Sequence, residues 1–277
     1  MADAADALRR LSFNQATINK WGALEAIEAC ARHGVGWVSL WREPVAKDGP
    51  AACAKALKET GLRVSSLCRG GFFPAATARE REERLAENRR AIDECAELGT
   101  DVLVLVCGGL PEGSRDLDGA REMVRDGVAA LVPYAAERGV KLGIEPLHPM
   151  FAADRNVIST LTLANDIALG LASPKVGVVI DVFHVWWDPA VYREIRRAAD
   201  VTLGFHVNDW LVDPPSVLHS RAMMGDGPIE LRRLRRAVDM AGYEGPIEVE
   251  IFNRDVWAME PDAVMTTIKE RFVSEVM

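Results

Sequence analysis

Eight short, nearly unbroken apolar runs recur along the chain: "RLSFNQATI", "VGWVSLW", "LRVSSLC", "DVLVLVCG", "VKLGIEPL", "VGVVIDVFHV", "VTLGFHV" and "PIEVEIF". Strands buried on both faces read this way, because a parallel sheet is covered by helices on each side. The stretches between them carry apolar residues at three- and four-residue spacing: Leu24 and Ile27; Leu85, Ile92 and Cys95; Val124, Val128, Leu131 and Ala135; Leu231, Leu234, Val238 and Ala241; Val264, Ile268 and Phe272. Those spacings predict amphipathic helices. Gly34, Gly61, Gly99, Gly139 and Gly242 stand where such helices must stop. Asp188 followed by Pro189 predicts a helix start, and Pro133 predicts a kink or break in the fourth pattern.

Eight strand-then-helix units over 277 residues, with no linker or shift of composition, predict an α/β protein in which residues 1–277 form a single (β/α)8 TIM barrel domain. A doubly wound sheet would show a glycine-rich phosphate turn after its first strand, and "LSFNQATINKWG" has none. The longer loops, "HPMFAADRNV" after strand five and "LVDPPSVLHSRAMMGDG" after strand seven, follow strand C-termini, the end at which barrels keep their active sites.

Polar residues punctuate those same ends. Glu145 and His148 follow strand five, Asp181 and His184 end strand six, His206 and Asp209 end strand seven, and Glu248 and Glu250 end strand eight. A lone buried carboxylate costs several kcal/mol, so such groups should be paired, metal-bound or solvated. Neighbouring strands lie about 4.8 Å apart, which lets Glu145, Asp181, His206 and Glu250 converge above the barrel. Three carboxylates and an imidazole suit one divalent ion: Mn²⁺, Mg²⁺ or Co²⁺, with Zn²⁺ possible. Glu248 shares the face of Glu250 and reads as a barrel-interior group supporting the site; Asp209 reads as an orienting partner rather than a ligand. His148 either contacts substrate or caps a loop, while His33 and His219 read as a surface and a loop residue. Trp41, Trp186, Trp187 and Trp210 sit at or just past strand ends, where an aromatic face can pack on a sugar ring. Asn14, Arg42 and Arg69 end the first three strands and offer donors to hydroxyls or a carboxylate.

Charge and composition narrow the partners. The formal charge of −8 and pI near 5.3 leave no global basic field for nucleic acid. The run "RRLRR" at 232–236 reads as one solvated helix face. Five scattered cysteines without a CxxC pair point to reduced thiols, and no apolar stretch suggests a signal peptide or membrane span; a cytoplasmic protein without membrane or nucleic-acid partners is expected.

The segments "IEPL", "DVFH", "HVND" and "VEIFN", in that order on successive strands, resemble the xylose-isomerase-like barrels of the sugar phosphate isomerase/epimerase superfamily, over essentially the whole chain. "RAMMGDGPIEL" is similar to that family's Arg-x-x-Pro-Gly-x-Gly segment, with Met224 in place of the proline. The resemblance implies that Glu145, Asp181, His206 and Glu250 bind one metal, that Glu145 and Glu250 are the acid/base pair, and that His184 and Arg221 contact substrate oxygens. It also implies a small carbohydrate substrate and a homo-oligomer, dimer or tetramer.

The expected activity is a metal-dependent isomerase or epimerase of a keto sugar or polyol-derived ketone, acting through carboxylate proton transfer and an enediolate. Proton removal beside a ketone is also the first step of eliminating a β-hydroxyl, so a dehydratase is the alternative, and a non-catalytic metal- or sugar-binding subunit is a third. The family's three-zinc endonuclease holds its ions with additional histidines, whereas the ends of strands two and three here offer Trp41 and Cys68 and the chain has five histidines in all. A Schiff-base aldolase would need a lysine at the site, whereas Lys141 and Lys175 precede their strands.

Overall fold

In the computed structural model, which describes residues 6–214 and 216–277, the eight apolar runs hydrogen-bond into one closed parallel barrel. Strands β1 (Leu11–Asn14), β2 (Trp37–Trp41), β3 (Arg63–Gly71), β4 (Val102–Val106), β5 (Lys141–Ile144), β6 (Val176–Asp181), β7 (Thr202–Val207) and β8 (Ile247–Val249) run round it in chain order. The ring closes where Leu11 pairs with Ile247. Phe13, Leu103, Leu105 and Phe205 from strands, with Ile27, Ile92, Leu131 and Phe272 from the outer layer, are fully buried. Each contributes roughly 1.5–3 kcal/mol by leaving water.

Local signals explain where the outer helices begin and end. Thr77 and Glu80 form a reciprocal cap at the start of the helix Ala78–Leu98, and Gly99 ends it in the left-handed conformation, φ 74°. Gly61 does the same for the helix Pro50–Thr60. In the helix Leu231–Met240 the "RRLRR" run faces outward around buried Leu231 and Leu234, although Arg235 turns back to the Val276 carbonyl at 2.9 Å.

Three local expectations are corrected. Pro133 neither ends nor interrupts the helix Leu117–Glu137, because Val124, Val128, Leu131 and Ala135 bury one continuous face on either side of it. The expected start at Asp188 falls short of the helix Val191–Arg197: the Asp188 side chain accepts from the Ala190 N–H at 2.8 Å, closing a turn before it. Strand six stops at Asp181, and Val182–Val185 is a single helical turn, since the Asp181 carboxylate accepts the Phe183 N–H at 2.9 Å and bends the chain out of the sheet.

Beneath the C-terminal rim the barrel interior is polar. Ser12 and Ser65 hydroxyls lie 2.8 Å apart, as do those of Ser39 and Ser66. Ser65 and Ser66 each donate to the Glu248 carboxylate at 3.1 Å, so this buried layer is hydrogen-bonded rather than orphaned. All five cysteines are buried free thiols. Among the described residues no helix is long and apolar enough to cross a membrane.

Candidate metal centre and active site

The last four strands deliver their polar ends to one point. Glu145 follows β5, Asp181 ends β6, His206 lies in β7 and Glu250 follows β8; one donor atom from each falls within 4.8 Å of the others. All four are at most 4% exposed. His206 Nδ1 is 3.3 Å from Glu145 Oε1 and 3.7 Å from Glu250 Oε2.

Three of the four donors, Glu145 Oε1, Asp181 Oδ2 and His206 Nδ1, are buried without a hydrogen-bond partner. Native interiors rarely leave such atoms unsatisfied, and here they point at one another. An oxygen-rich set with one imidazole nitrogen fits a divalent cation, which would satisfy all three at once.

Neighbouring side chains fix these donors. Glu248 lies 3.5 Å from His206 Nε2 on the far side of the ring and is itself held by Asn14 at 2.6 Å and by Ser65 and Ser66. A carboxylate behind an imidazole favours the proton on Nε2 and frees Nδ1 for the site. Asn208 donates to Asp181 Oδ1 at 3.0 Å and to the Glu250 carbonyl at 3.1 Å. Asn156, from the loop after β5, donates to the Glu145 carbonyl at 2.7 Å.

Burial dominates the electrostatics and is partly offset by pairing. It pushes the Glu145 carboxyl up to about 7 despite the neighbouring His206, and raises Asp181 as well. Glu250 is buried too, yet Arg221 and His206 hold it down to about 2. Burial opposes the charge on His206, but Glu248, Glu145 and Glu250 outweigh it and raise the imidazole well above its usual value. For His184 burial and the Arg221 charge act together, and the ring is held neutral.

Above these donors opens a cavity of about 190 Å³. Glu145, Glu250, His184 and Arg221 form its polar floor, and Trp41, Phe151, Phe183 and Phe252 its aromatic walls. Arg221 pairs with Glu250 at 2.5 Å and Asp181 at 3.2 Å. Its Nη2 lies 3.1 Å from His184 Nε2, while His184 Nδ1 accepts the His148 N–H at 3.0 Å. With Nδ1 accepting, the ring proton sits on Nε2, so two donors lie side by side and can share one oxygen acceptor placed against both.

Other expected residues are placed differently. Trp41 lines the cavity and donates to Asn14 Oδ1 at 2.9 Å. Trp186 and Trp210 are not among the lining residues; they pack behind the wall, where Trp210 stacks on Phe183 at 4.8 Å. His148 caps a turn, accepting the Met150 N–H at 3.2 Å, and packs on Trp187 and Trp210. Asp209 accepts from the backbone N–H of Gly225 and Ile229, both at 3.0 Å, and so holds the loop after Arg221. Arg69 lines the cavity, but Arg42 turns away to Glu94 and Glu87 because it begins the helix Arg42–Asp48. His219 bonds Ser216 at 2.8 Å and packs on Trp257; His33 bonds Asp262 at 2.7 Å at the surface. Phe151 and Arg155 were marked only by the loop that carries them, and Phe183 and Phe252, inside the segments "DVFH" and "VEIFN", were not singled out.

The comparisons with known proteins agree with this architecture. Residues 27–270 match the xylose isomerase-like TIM barrel family, and the chain belongs to it. A 3-dehydroshikimate dehydratase of Pseudomonas putida is 26% identical over 252 residues, 86% of this chain; the chain spans only 37% of that relative's length. An inosose isomerase of Bacillus velezensis is 21% identical, with 94% of this chain and 95% of the relative covered. Among solved structures, protein SMc04130 of Sinorhizobium meliloti 1021 superimposes with a TM-score of 0.95 at 48% identity, covering 97% of this chain and 99% of that one. The IOLI protein with a bound zinc atom superimposes with a TM-score of 0.85 at 21% identity over 96% of this chain and 98% of that one, a likeness of fold.

Proposed function

We propose that this chain is a divalent-metal-dependent enzyme that moves the proton on the carbon beside a ketone in a small polyhydroxylated substrate, isomerising or epimerising it. The observation that carries this reading is the trio of buried atoms without a hydrogen bond, Glu145 Oε1, Asp181 Oδ2 and His206 Nδ1, with Glu250 beside them. Glu145, Asp181, His206 and Glu250 would hold the ion. When bound, it supplies Lewis-acid polarisation of a carbonyl and its neighbouring hydroxyl.

The chain's own groups do the rest. Glu145 and Glu250, on strands separated by β6 and β7, take the proton from one face of the α-carbon and return it on the other, each worth roughly 10²–10⁴ in rate. His184 Nε2 and Arg221 Nη2 lie side by side, 3.1 Å apart, and can both donate to one substrate oxygen. Trp41, Phe151, Phe183 and Phe252 pack on C–H faces and exclude water. A relative named inosose isomerase supports a cyclic or sugar ketone as substrate.

A second reading rests on the relative named 3-dehydroshikimate dehydratase. After the same proton abstraction, loss of a β-hydroxyl as water leaves an enone. Two measurements test the proposal: metal content of the purified protein, and turnover of keto sugars and cyclic polyol ketones in D₂O. One equivalent of divalent metal and solvent deuterium on the inverted carbon are expected. New ultraviolet absorbance from a conjugated enone would select elimination instead, while binding without any turnover would reduce the protein to a metal- and sugar-binding module.

A further inference from the structure

Three arginines line the cavity, and they differ in how their charge is met. Arg221, 8% exposed at its side chain, is engaged by Glu250 and Asp181 on the floor. Arg69 and Arg155 stand higher on the wall, with side chains 29% and 38% exposed. Among the described residues neither guanidinium makes a hydrogen bond, and Arg69 Nε is buried without a partner. Their nearest carboxylates, Glu43 at 4.0 Å and Asp154 at 3.7 Å, are two-thirds exposed and beyond hydrogen-bond reach. By contrast Arg42, which begins the helix after β2, has its fork filled by Glu94 and Glu87.

Aromatic rings flank both guanidiniums, those of Trp41 and Phe151 from the cavity wall and that of Phe72 from outside it. Arg69 lies 5.7 Å from the Trp41 ring and 4.8 Å from that of Phe72; Arg155 lies 5.9 Å from the ring of Phe151. Such stacking orients the planar fork while leaving its edge donors free. On the floor, Arg221 and a divalent ion together balance the carboxylates of Glu145, Asp181 and Glu250, so Arg69 and Arg155 are met only by the solvent-exposed Glu43 and Asp154. In a chain of formal charge −8 two such cations on one cavity wall create a local field opposite to that of the molecule.

We propose that the substrate carries an anionic group, a carboxylate or a phosphate, which Arg69 and Arg155 receive on the upper wall while its ketone end faces the metal donors. This rests on the proposed function and narrows its substrate class from neutral sugars to acidic or phosphorylated ring polyols. A planar, bidentate acceptor matches the two open forks.

The test uses one ring scaffold in three charge forms, glucose, glucuronate and glucose 6-phosphate, titrated calorimetrically into the metal-loaded protein and into the Arg69→Gln/Arg155→Gln variant. At least one anionic form should bind the wild type about ten- to hundredfold tighter than glucose. That advantage should shrink as salt rises and vanish in the double variant, whose metal content stays at the wild-type value. Glucuronate and glucose 6-phosphate distinguish carboxylate from phosphate. Equal binding of all three rings, failure of both anions to bind, or a preference that survives in the double variant would overturn the inference. Metal content, measured on the same samples, keeps this apart from the proposed function: a metal-free wild type strikes the latter, whereas a metal-loaded protein preferring glucose strikes only the anionic subsite.

Discussion

His206 presents its two ring nitrogens to opposite sides: Nε2 lies 3.5 Å from the Glu248 carboxylate inside the barrel, and Nδ1 lies 3.3 Å from Glu145 at the rim. Glu248 is not free to turn away, since Asn14, Ser65 and Ser66 hold its oxygens. Glu248→Gln removes the charge that favours the Nε2 proton. It is expected to weaken metal affinity about 10- to 100-fold. Competition against a fluorescent chelator measures this, and unchanged affinity would reduce Glu248 to a packing role.

The same set of donors predicts a pH dependence. Without metal, burial puts Glu145 at about 7, and the surrounding carboxylates raise His206 well above an ordinary imidazole. Both raised groups hold protons that must leave before oxygen and nitrogen can ligate. Affinity should therefore fall as pH drops through about 7, by up to about tenfold per unit for each proton displaced. It should also keep rising above the range of an isolated histidine. Calorimetry at about pH 6 in two buffers of different ionisation enthalpy counts the protons released; a count of zero contradicts this arrangement.

Much of this was legible before the fold was drawn. Unbroken apolar runs such as "DVLVLVCG" require cover on both faces, which is why eight of them marked the barrel, and period-two geometry put Glu248 inside beneath Glu250. Where Asp181 turns its carboxylate back on the Phe183 N–H, a local hydrogen bond overrode an apolar pattern that read as a continuing strand. Pro133 was overruled by the burial of four apolar residues along one helix face. Trp186 and Trp210 sit at strand ends as read, yet direction rather than position decides contact, and their rings face Phe183 and each other instead of the cavity. Arg155 was marked only by its loop, because a loop has no period from which to infer where a side chain points.

Arg221 is a buried cation whose two carboxylate partners are also offered to the metal. Arg221→Ala leaves Asp181 and Glu250 with only His206 to offset their charge in the metal-free protein, a loss of the kind that costs about 3–5 kcal/mol for a buried pair. A divalent ion would restore the balance. The variant should melt several degrees lower than wild type without metal, and metal should raise its Tm by more than it raises that of wild type. Equal metal-induced shifts in the two proteins would show that Arg221 and the ion do not compete for the same charge.

Gly227 marks how tightly the loop after Arg221 is held. A Cβ there would lie 2.3 Å from the Trp210 carbonyl oxygen and 2.5 Å from Asp209 Oδ1, both too close to persist. Gly227→Ala should push the loop off Asp209, whose other oxygen holds Gly225, and shift Arg221 at its base. Because the barrel core is untouched, Tm should change little while kcat/KM falls by about tenfold or more. Wild-type kinetics in this variant would separate the loop from the site.

The sharpest test of the two glutamates exploits the difference between ligating and accepting a proton. Glutamine in place of Glu145 or Glu250 still presents one oxygen to a cation but cannot carry the proton, so each substitution should cost less metal affinity than alanine while lowering turnover by about 10²-fold or more. The two variants should differ in what survives. Glu250 is tied to Arg221 at 2.5 Å, so Glu250→Gln also loosens the guanidinium and should raise KM, whereas Glu145 has no such partner and Glu145→Gln should act on kcat alone. If inversion needs both carboxylates, one variant will exchange substrate deuterium with water on its intact face without inverting the carbon. Proton nuclear magnetic resonance in D₂O follows exchange and inversion separately. Full turnover in both variants would remove the carboxylates from the proton path, while rapid product formation with no solvent hydrogen incorporated would favour direct hydride transfer to a neighbouring carbon.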